Sequence, residues 1–243
     1  MGYSRKEEIA LLKRERKKAK AAKKRKENTR DKLVRFLIVC EGERTEPNYF
    51  QALIANQASV VREVSIEGEG CATVPLVKRT LEIKEELERE RDMQFDRVWV
   101  VFDKDDFTDF NDAINLAKKY KFKSAWTNEA FELWYYLHFE YLDTAISRHD
   151  YIQRLQRMIR KKLDDNSYKY QKKDPNIYFL LQKLGSEELA KRHAIRLREL
   201  HKNKGNDYAS QKPRTEVDLL VEELEHPEEV LKKLSQKKQQ NIN

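Results

Sequence analysis

Residues 33–47 read Leu33-Val34-Arg35-Phe36-Leu37-Ile38-Val39-Cys40-Glu41-Gly42-Glu43-Arg44-Thr45-Glu46-Pro47, and this stretch decides the fold. Val34, Phe36, Leu37, Ile38 and Val39 form a short, nearly continuous apolar run. Such a run suits a strand covered on both faces, as in a parallel sheet. The run breaks at Glu41-Gly42, and a helix signal follows at once. Thr45 offers an N-cap, Pro47 fits a first helical turn, and Tyr49, Phe50, Leu53 and Ile54 recur at helical spacing.

The same grammar repeats downstream. Val60 to Glu67 alternates well enough for a second strand, closed by Gly68 and Gly70. Thr73 with Pro75 opens a second helix, with Val74, Val77, Leu81 and Leu87 as its apolar stripe. Val98-Trp99-Val100-Val101-Phe102 is the clearest strand and ends in Asp103-Lys104-Asp105-Asp106. A helix carrying Phe110, Ala113, Ile114 and Ala117 comes next, then a short strand over Ser124–Thr127. Asn128 is placed to cap the helix that runs through Phe131-Glu132-Leu133-Trp134-Tyr135-Tyr136-Leu137-His138. Strands alternating with helices imply βαβ units, hence an α/β fold with a mainly parallel sheet and helices on both faces.

Beyond about Leu142 strand signals fade. Residues 148–163 and 186–202 read as helices, the second capped by Ser186, with polar basic loops at 164–176 and 202–214. Thr215 and Asp218 resemble a capping box ahead of Val217, Leu220, Val221 and Leu224. The expected organisation is a basic arm at 1–32, helix-prone or disordered, an α/β domain at 33–145 and a helical C-terminal region at 146–243, packed on the sheet.

Charge is distributed unevenly. Fourteen of the 50 Lys/Arg and five of the 42 Asp/Glu fall in residues 1–32, leaving a nearly balanced 36 and 37 in the body. The arm therefore reads either as a nucleic-acid contact or as a solvated tail. No apolar window is long enough for a membrane span, and the charged N-terminus is unlike a secretory signal. Cys40 and Cys71, the 2 cysteines, make no disulfide framework, which suits a reducing cytoplasm.

In an open α/β sheet, ligands sit outside the carboxyl ends of the strands. Two strands here end in carboxylates, Glu41 on the first and Asp103 with Asp105 on the third. An extended backbone would point Asp103 and Asp105 the same way. If the strands are neighbours, three carboxylates converge, and a hard divalent cation such as Mg²⁺ would cure their repulsion. The alternative is that they cap helices or face water. Glu129 and Glu132 share a helical turn and can add ligands for a second metal, Glu132 with the better case because an unpaired buried carboxylate is expensive. The alternative for Glu129 is that it complements the helix dipole. Asp106 can assist the metal or cap a turn, and Lys104 can meet a phosphate or point to solvent.

Tyr168, Lys169, Tyr170, Lys172 and Lys173 interleave aromatics with cations, either as a nucleic-acid strip or as an amphipathic loop. His138 reads as a hydrogen-bonded structural residue, Cys40 as a small hydrophobe, and Trp99, Trp126 and Trp134 as core. No Ser/His/Asp or Cys/His constellation and no Walker-type phosphate loop is present, so any nucleotide hydrolysis would have to come from a partner.

Three blocks resemble a known family. Arg35 to Phe50, Val98 to Phe107 and Asn128 to Trp134 are similar, in order, to the motifs of RloB-like proteins, and Pro213-Arg214-Thr215-Glu216-Val217 resembles a weaker motif near their C-terminus. The resemblance runs from about 33 to 225. It implies membership of the Toprim superfamily, a Rossmann-like sheet with a Glu after the first strand and Asp-x-Asp after a later one. Glu41, Asp103 and Asp105 take those places, with Mg²⁺ or Mn²⁺ as the cofactor, and Glu132 stays the additional ligand that its burial alone suggests. The family's occurrence in restriction and abortive-infection loci, often beside an ATPase gene, implies a nuclease in anti-phage defence that cuts DNA or RNA and has an ATPase partner. Two other readings stand beside it, a non-catalytic nucleic-acid-binding or regulatory subunit and a nucleotidyl-transfer enzyme.

Overall fold

The computed structural model describes residues 13–18, 33–57, 62–71 and 73–240. Of the basic arm, residues 13–18 are helical and exposed, and the rest lies outside the described residues. The body is a five-stranded sheet with helices on both faces, a Rossmann-like α/β architecture.

Strand β1 (Val34–Cys40) leads into helix α1 (Thr45–Ala55), strand β2 (Arg62–Gly68) and helix α2 (Thr73–Glu90). Strand β3 (Arg97–Asp103), helix α3 (Phe110–Lys119), strand β4 (Lys123–Asn128) and the short helix α4 (Glu132–Leu137) follow. The spatial order is β2-β1-β3-β4-β5, with β1 parallel to both β2 and β3 and β4 parallel to β3. From β1 the chain first goes to one edge, then returns past β1 to build the other half. The strand order therefore reverses between β1 and β3, and a crevice opens there at their carboxyl ends.

The sheet is covered on both faces, as the apolar runs require. Phe36, Ile38, Cys40, Trp99, Val101 and Ala125 face one layer. Leu37, Val39, Val98, Val100, Phe102 and Trp126 face the other. Each large apolar side chain buried this way contributes roughly 1.5–3 kcal/mol. In the second layer α3 buries Phe110, Ala113, Ile114 and Ala117, the expected stripe. The seam of α2 is rotated from the expected one: Thr73, Leu76, Val77, Thr80 and Ile83 are buried, while Val74, Leu81 and Leu87 are only partly covered.

The C-terminal region is not a separate body. It comprises α5 (Arg148–Leu163), α6 (Ile177–Leu184), α7 (Glu187–Leu200), β5 (Arg214–Thr215), α8 (Val217–Glu225) and α9 (Pro227–Gln240). Tyr151, Leu155, Leu181, Ala194, Leu197 and Leu220 share one core with Phe36 and Trp99, so this region supplies most of one layer. The change in sequence texture near 145 is not a break in the core. Ser147 opens α5 through a capping box with Asp150, and Ser186 caps α7 by accepting from the Leu189 N–H at 3.2 Å.

The expected capping box of Thr215 and Asp218 does not form. Thr215 belongs to β5, which pairs antiparallel with β4, and its hydroxyl meets Thr127 Oγ1 at 2.9 Å. Asp218 instead accepts from Arg198 Nη1 at 2.8 Å. Strand β5 and helix α6 were not expected. Two residues are too few to show a period, and α6 is short and apolar nearly all round. No helix among the described residues is long and apolar enough to cross a membrane.

Candidate active site

The register of β1 on β3 sets Cys40 beside Val101, so the residues after them meet at the switch point. The Glu41 amide donates to Val101 O at 2.8 Å, and the Glu41 carboxylate accepts the Asp103 amide at 3.0 Å. Glu41 and Asp103 are thus neighbours by backbone geometry. Asp103 is 4% exposed, and its Oδ2 accepts from the Phe131 amide at 3.0 Å and from Arg148 Nη2 at 3.1 Å.

Asp105 arrives by a different route from the expected one. The strand stops at Asp103, and Asp105 sits in a turn with φ at 41°, a left-handed conformation that Asp tolerates better than most residues. Strand alternation therefore does not align it with Asp103. The two carboxylates meet through Arg148, whose Nη2 is also 2.5 Å from Asp105 Oδ1.

Two more carboxylates belong to the cluster. Glu132, in the first turn of α4, is completely buried and accepts from the Tyr170 hydroxyl at 3.3 Å. Glu46, in the first turn of α1, is 5% exposed and was not singled out from the sequence. Its carboxylate folds back over Gly42, where a Cβ would collide with Glu46 Oε2. Gly42 thus makes room for a carboxylate of the chain itself. The cleft above the cluster encloses about 720 Å³ and is lined by Glu41, Glu46, Asp103, Asp105, Arg148 and Lys172, among others.

Burial dominates the electrostatics. It pushes Glu41 up to about 7, opposed by the Asp103 amide and reinforced by Asp105 and Glu46. Burial also raises Asp103 well above its ordinary value, helped by Glu46, Glu132 and Glu41 and opposed by Arg148. Glu46 is raised for the same first reason, with Lys172 and Arg148 opposing. Asp103 Oδ1, Glu46 Oε2 and Glu132 Oε2 are buried without a hydrogen-bond partner. Buried unpaired carboxylate oxygens are costly, and an all-oxygen donor set of this kind fits a hard divalent cation.

The RloB-like protein family model matches residues 36–224. The chain belongs to the RloB-like family. No curated protein and no solved structure gives a significant match.

The other residues singled out from the RloB-like sequence divide clearly. Lys172 and Lys173 line the cleft, because their carbonyls are tied to α1 by Thr45 Oγ1 at 2.9 Å and Asn48 Nδ2 at 3.4 Å. Thr45 therefore spends its hydroxyl on that loop, not on capping α1. The tyrosines of the strip turn inward: Tyr170 bonds Glu132, and the Tyr168 hydroxyl is buried. Lys169 is exposed and not among the cleft-lining residues, so the strip is no aromatic platform. Lys104 Nζ folds onto Asp105 O at 3.2 Å. Glu129 is ion-paired with Lys212 and accepts from the Arg148 amide at 3.4 Å, and Asp106 is exposed; neither lines the cleft.

Asn128 does not cap α4. It bonds Tyr208 O and Ala209 O at 3.1 and 2.9 Å, and the Asp103 carboxylate takes the Phe131 amide instead. His138 is buried with Nδ1 on Trp134 O at 3.0 Å, and burial lowers it to about 4, the backbone contact opposing. Cys40, Trp99, Trp126 and Trp134 are buried in the core.

Proposed function

We propose that this protein is a metal-dependent phosphodiester hydrolase that cuts DNA or RNA, a nuclease of the Toprim type. The observation that carries the reading is the backbone-enforced meeting of Glu41 and Asp103 at the switch point, with buried carboxylate oxygens of Asp103, Glu46 and Glu132 left unpaired. Glu41, Asp103 and Asp105, with Glu46 and Glu132, would hold Mg²⁺ or Mn²⁺. Bound there, a divalent cation supplies charge neutralisation at the scissile phosphate and a more acidic water. In place of ligation, Glu41, which burial raises to about 7 in the metal-free protein, would serve as general acid or base. Lys172 and Lys173 at the cleft wall draw the phosphate backbone in.

The Toprim type, the defence role and the ATPase partner rest on the resemblance of the Glu41, Asp103 and Asp105 blocks to RloB-like motifs. A second reading has one observation in its favour. Arg148 already pairs with Asp103 and Asp105, which suits structural carboxylates in a non-catalytic regulatory subunit.

Labelled DNA, RNA and tRNA, incubated with the full chain with and without Mg²⁺ or Mn²⁺ and with the product of a neighbouring ATPase gene, separate the readings. Metal-dependent cleavage that disappears in Asp103→Asn is expected. Nucleic-acid binding with no cleavage under any of these conditions would leave the regulatory reading.

A further inference from the structure

Arg148 is the first residue of α5, yet its side chain reaches into the centre of the carboxylate cluster. A single nitrogen, Nη2, bridges Asp103 Oδ2 at 3.1 Å and Asp105 Oδ1 at 2.5 Å. Its Nε is buried and has no partner, while the side chain as a whole keeps 30% exposure toward the cleft. Arginines that hold this fold together behave differently. Arg62 places its two terminal nitrogens on Ile54 O, Gln57 O, Gln57 Oε1 and Leu224 O. Arg198 grips Asp218 with both prongs of its fork.

The acceptors around Arg148 also outnumber what it serves. Glu132 acts on it electrostatically, and it acts in turn on Glu41 and Glu46. Among the described residues, the three metal-capable side chains with donor atoms within 4.8 Å of one another are Glu222, Glu225 and His226, away from the cleft. The cleft carboxylates are spread around the guanidinium.

We propose that Arg148 is an exchangeable internal counter-ion. It neutralises Asp103 and Asp105 in the metal-free protein, is displaced by the divalent cation, and then turns its fork to a phosphate of the nucleic acid. The inference rests on the metal-site reading above. A guanidinium and a divalent cation cannot share the same two carboxylate oxygens, since each would sit in contact with a like charge. Displacement leaves Arg148 in the cleft that Lys172 and Lys173 line, where a planar fork matches phosphate oxygens. Phosphate keeps Arg148 off the carboxylates, so metal and phosphate assist each other's binding, and by linkage the assistance is equal in both directions.

The test is Mn²⁺ affinity, read by calorimetry and by thermal shift, in the full-length protein, in Arg148→Gln and in Arg148→Lys. The capping box of α5 uses Ser147 and Asp150, so the helix start survives either change. Arg148→Gln is expected to bind Mn²⁺ about tenfold more tightly, the scale of one ion pair lost. Arg148→Lys, which keeps the charge, stays near the unsubstituted protein. A cleavage-resistant phosphorothioate dinucleotide raises Mn²⁺ affinity by a larger factor in the unsubstituted chain than in Arg148→Gln, where only direct contact of the metal with phosphate remains. Equal or weaker Mn²⁺ binding by Arg148→Gln, with unsubstituted protein that does bind Mn²⁺ through Asp103, overturns this inference and leaves the metal site standing. No Mn²⁺ binding by either protein overturns both.

Discussion

The two ends of the sheet handle buried charge in opposite ways. At the amino ends of the strands, Glu223 accepts from Trp99 Nε1 at 3.1 Å, Arg97 at 3.3 Å and Lys123 at 2.6 Å. Arg62 is enclosed by three backbone carbonyls and a side-chain amide, and Arg35 meets Glu63 at 3.0 Å. None of these polar atoms is left buried and unpaired. At the carboxyl ends, Glu41, Glu46, Asp103, Asp105 and Glu132 crowd one arginine and leave oxygens without partners. A satisfied network ties elements together. An unsatisfied one spends stability, and it persists where a ligand completes it.

The largest effect that separates the ends is catalytic. Glu41→Gln and Asp103→Asn are nearly isosteric, so the fold is expected to survive while cleavage falls roughly a hundredfold or more, since in the proposed mechanism these groups would hold the metal that stabilises the transition state. Apo stability should hold or rise as carboxylate repulsion is relieved, and stabilisation by Mg²⁺ or Mn²⁺ should shrink. Full cleavage and an intact metal-induced thermal shift in both variants would erase the distinction between the ends.

The mirror-image substitution is Arg62→Met. It strands the carbonyls of Ile54, Gln57 and Leu224 and should lower stability by about 3 kcal/mol, measured by chemical denaturation. The metal response of the folded fraction should not change. A loss of metal binding without a loss of stability would show that the amino end is not merely structural.

What was legible in the sequence were signals carried within a few residues. The apolar runs of β1 and β3 announce strands buried on both faces, and Glu41 and Asp103 follow directly from where those strands stop. Glu46 was illegible because its carboxylate enters the cleft only by folding back over Gly42, and in sequence it looks like an ordinary first-turn acid. Arg148 was hidden by distance along the chain and by a helix whose other cations are mostly exposed. Asn128 looked like a cap until the fold supplied a better-placed acceptor, the Asp103 carboxylate from the neighbouring strand. Side chains that act across elements leave no local period to read.

The smallest effect concerns pH, and it sets the cleft against His138. Glu41 is raised from 4.5 to about 7 in the folded protein, first by burial. The folded state therefore holds this proton more tightly than the unfolded chain, and the stability it contributes is full below 4.5 and lost as pH rises through 7. Asp103 and Glu46 are raised and act in the same direction. His138 is lowered from 6.5 to about 4, first by burial, so its contribution is full above 6.5 and lost as pH falls through 4. Between these limits the opposing slopes partly cancel in the apo protein. Glu41→Gln should make stability climb more steeply with pH across that window, while His138→Phe, which keeps an aromatic ring against Trp134, should make it fall. Urea denaturation of both variants in a chelator, at intervals across the window, measures the slopes. The same slope in both variants would mean that neither group titrates differently in the folded and unfolded chains, and the contrast between a strained cleft and a settled core would lose its electrostatic basis.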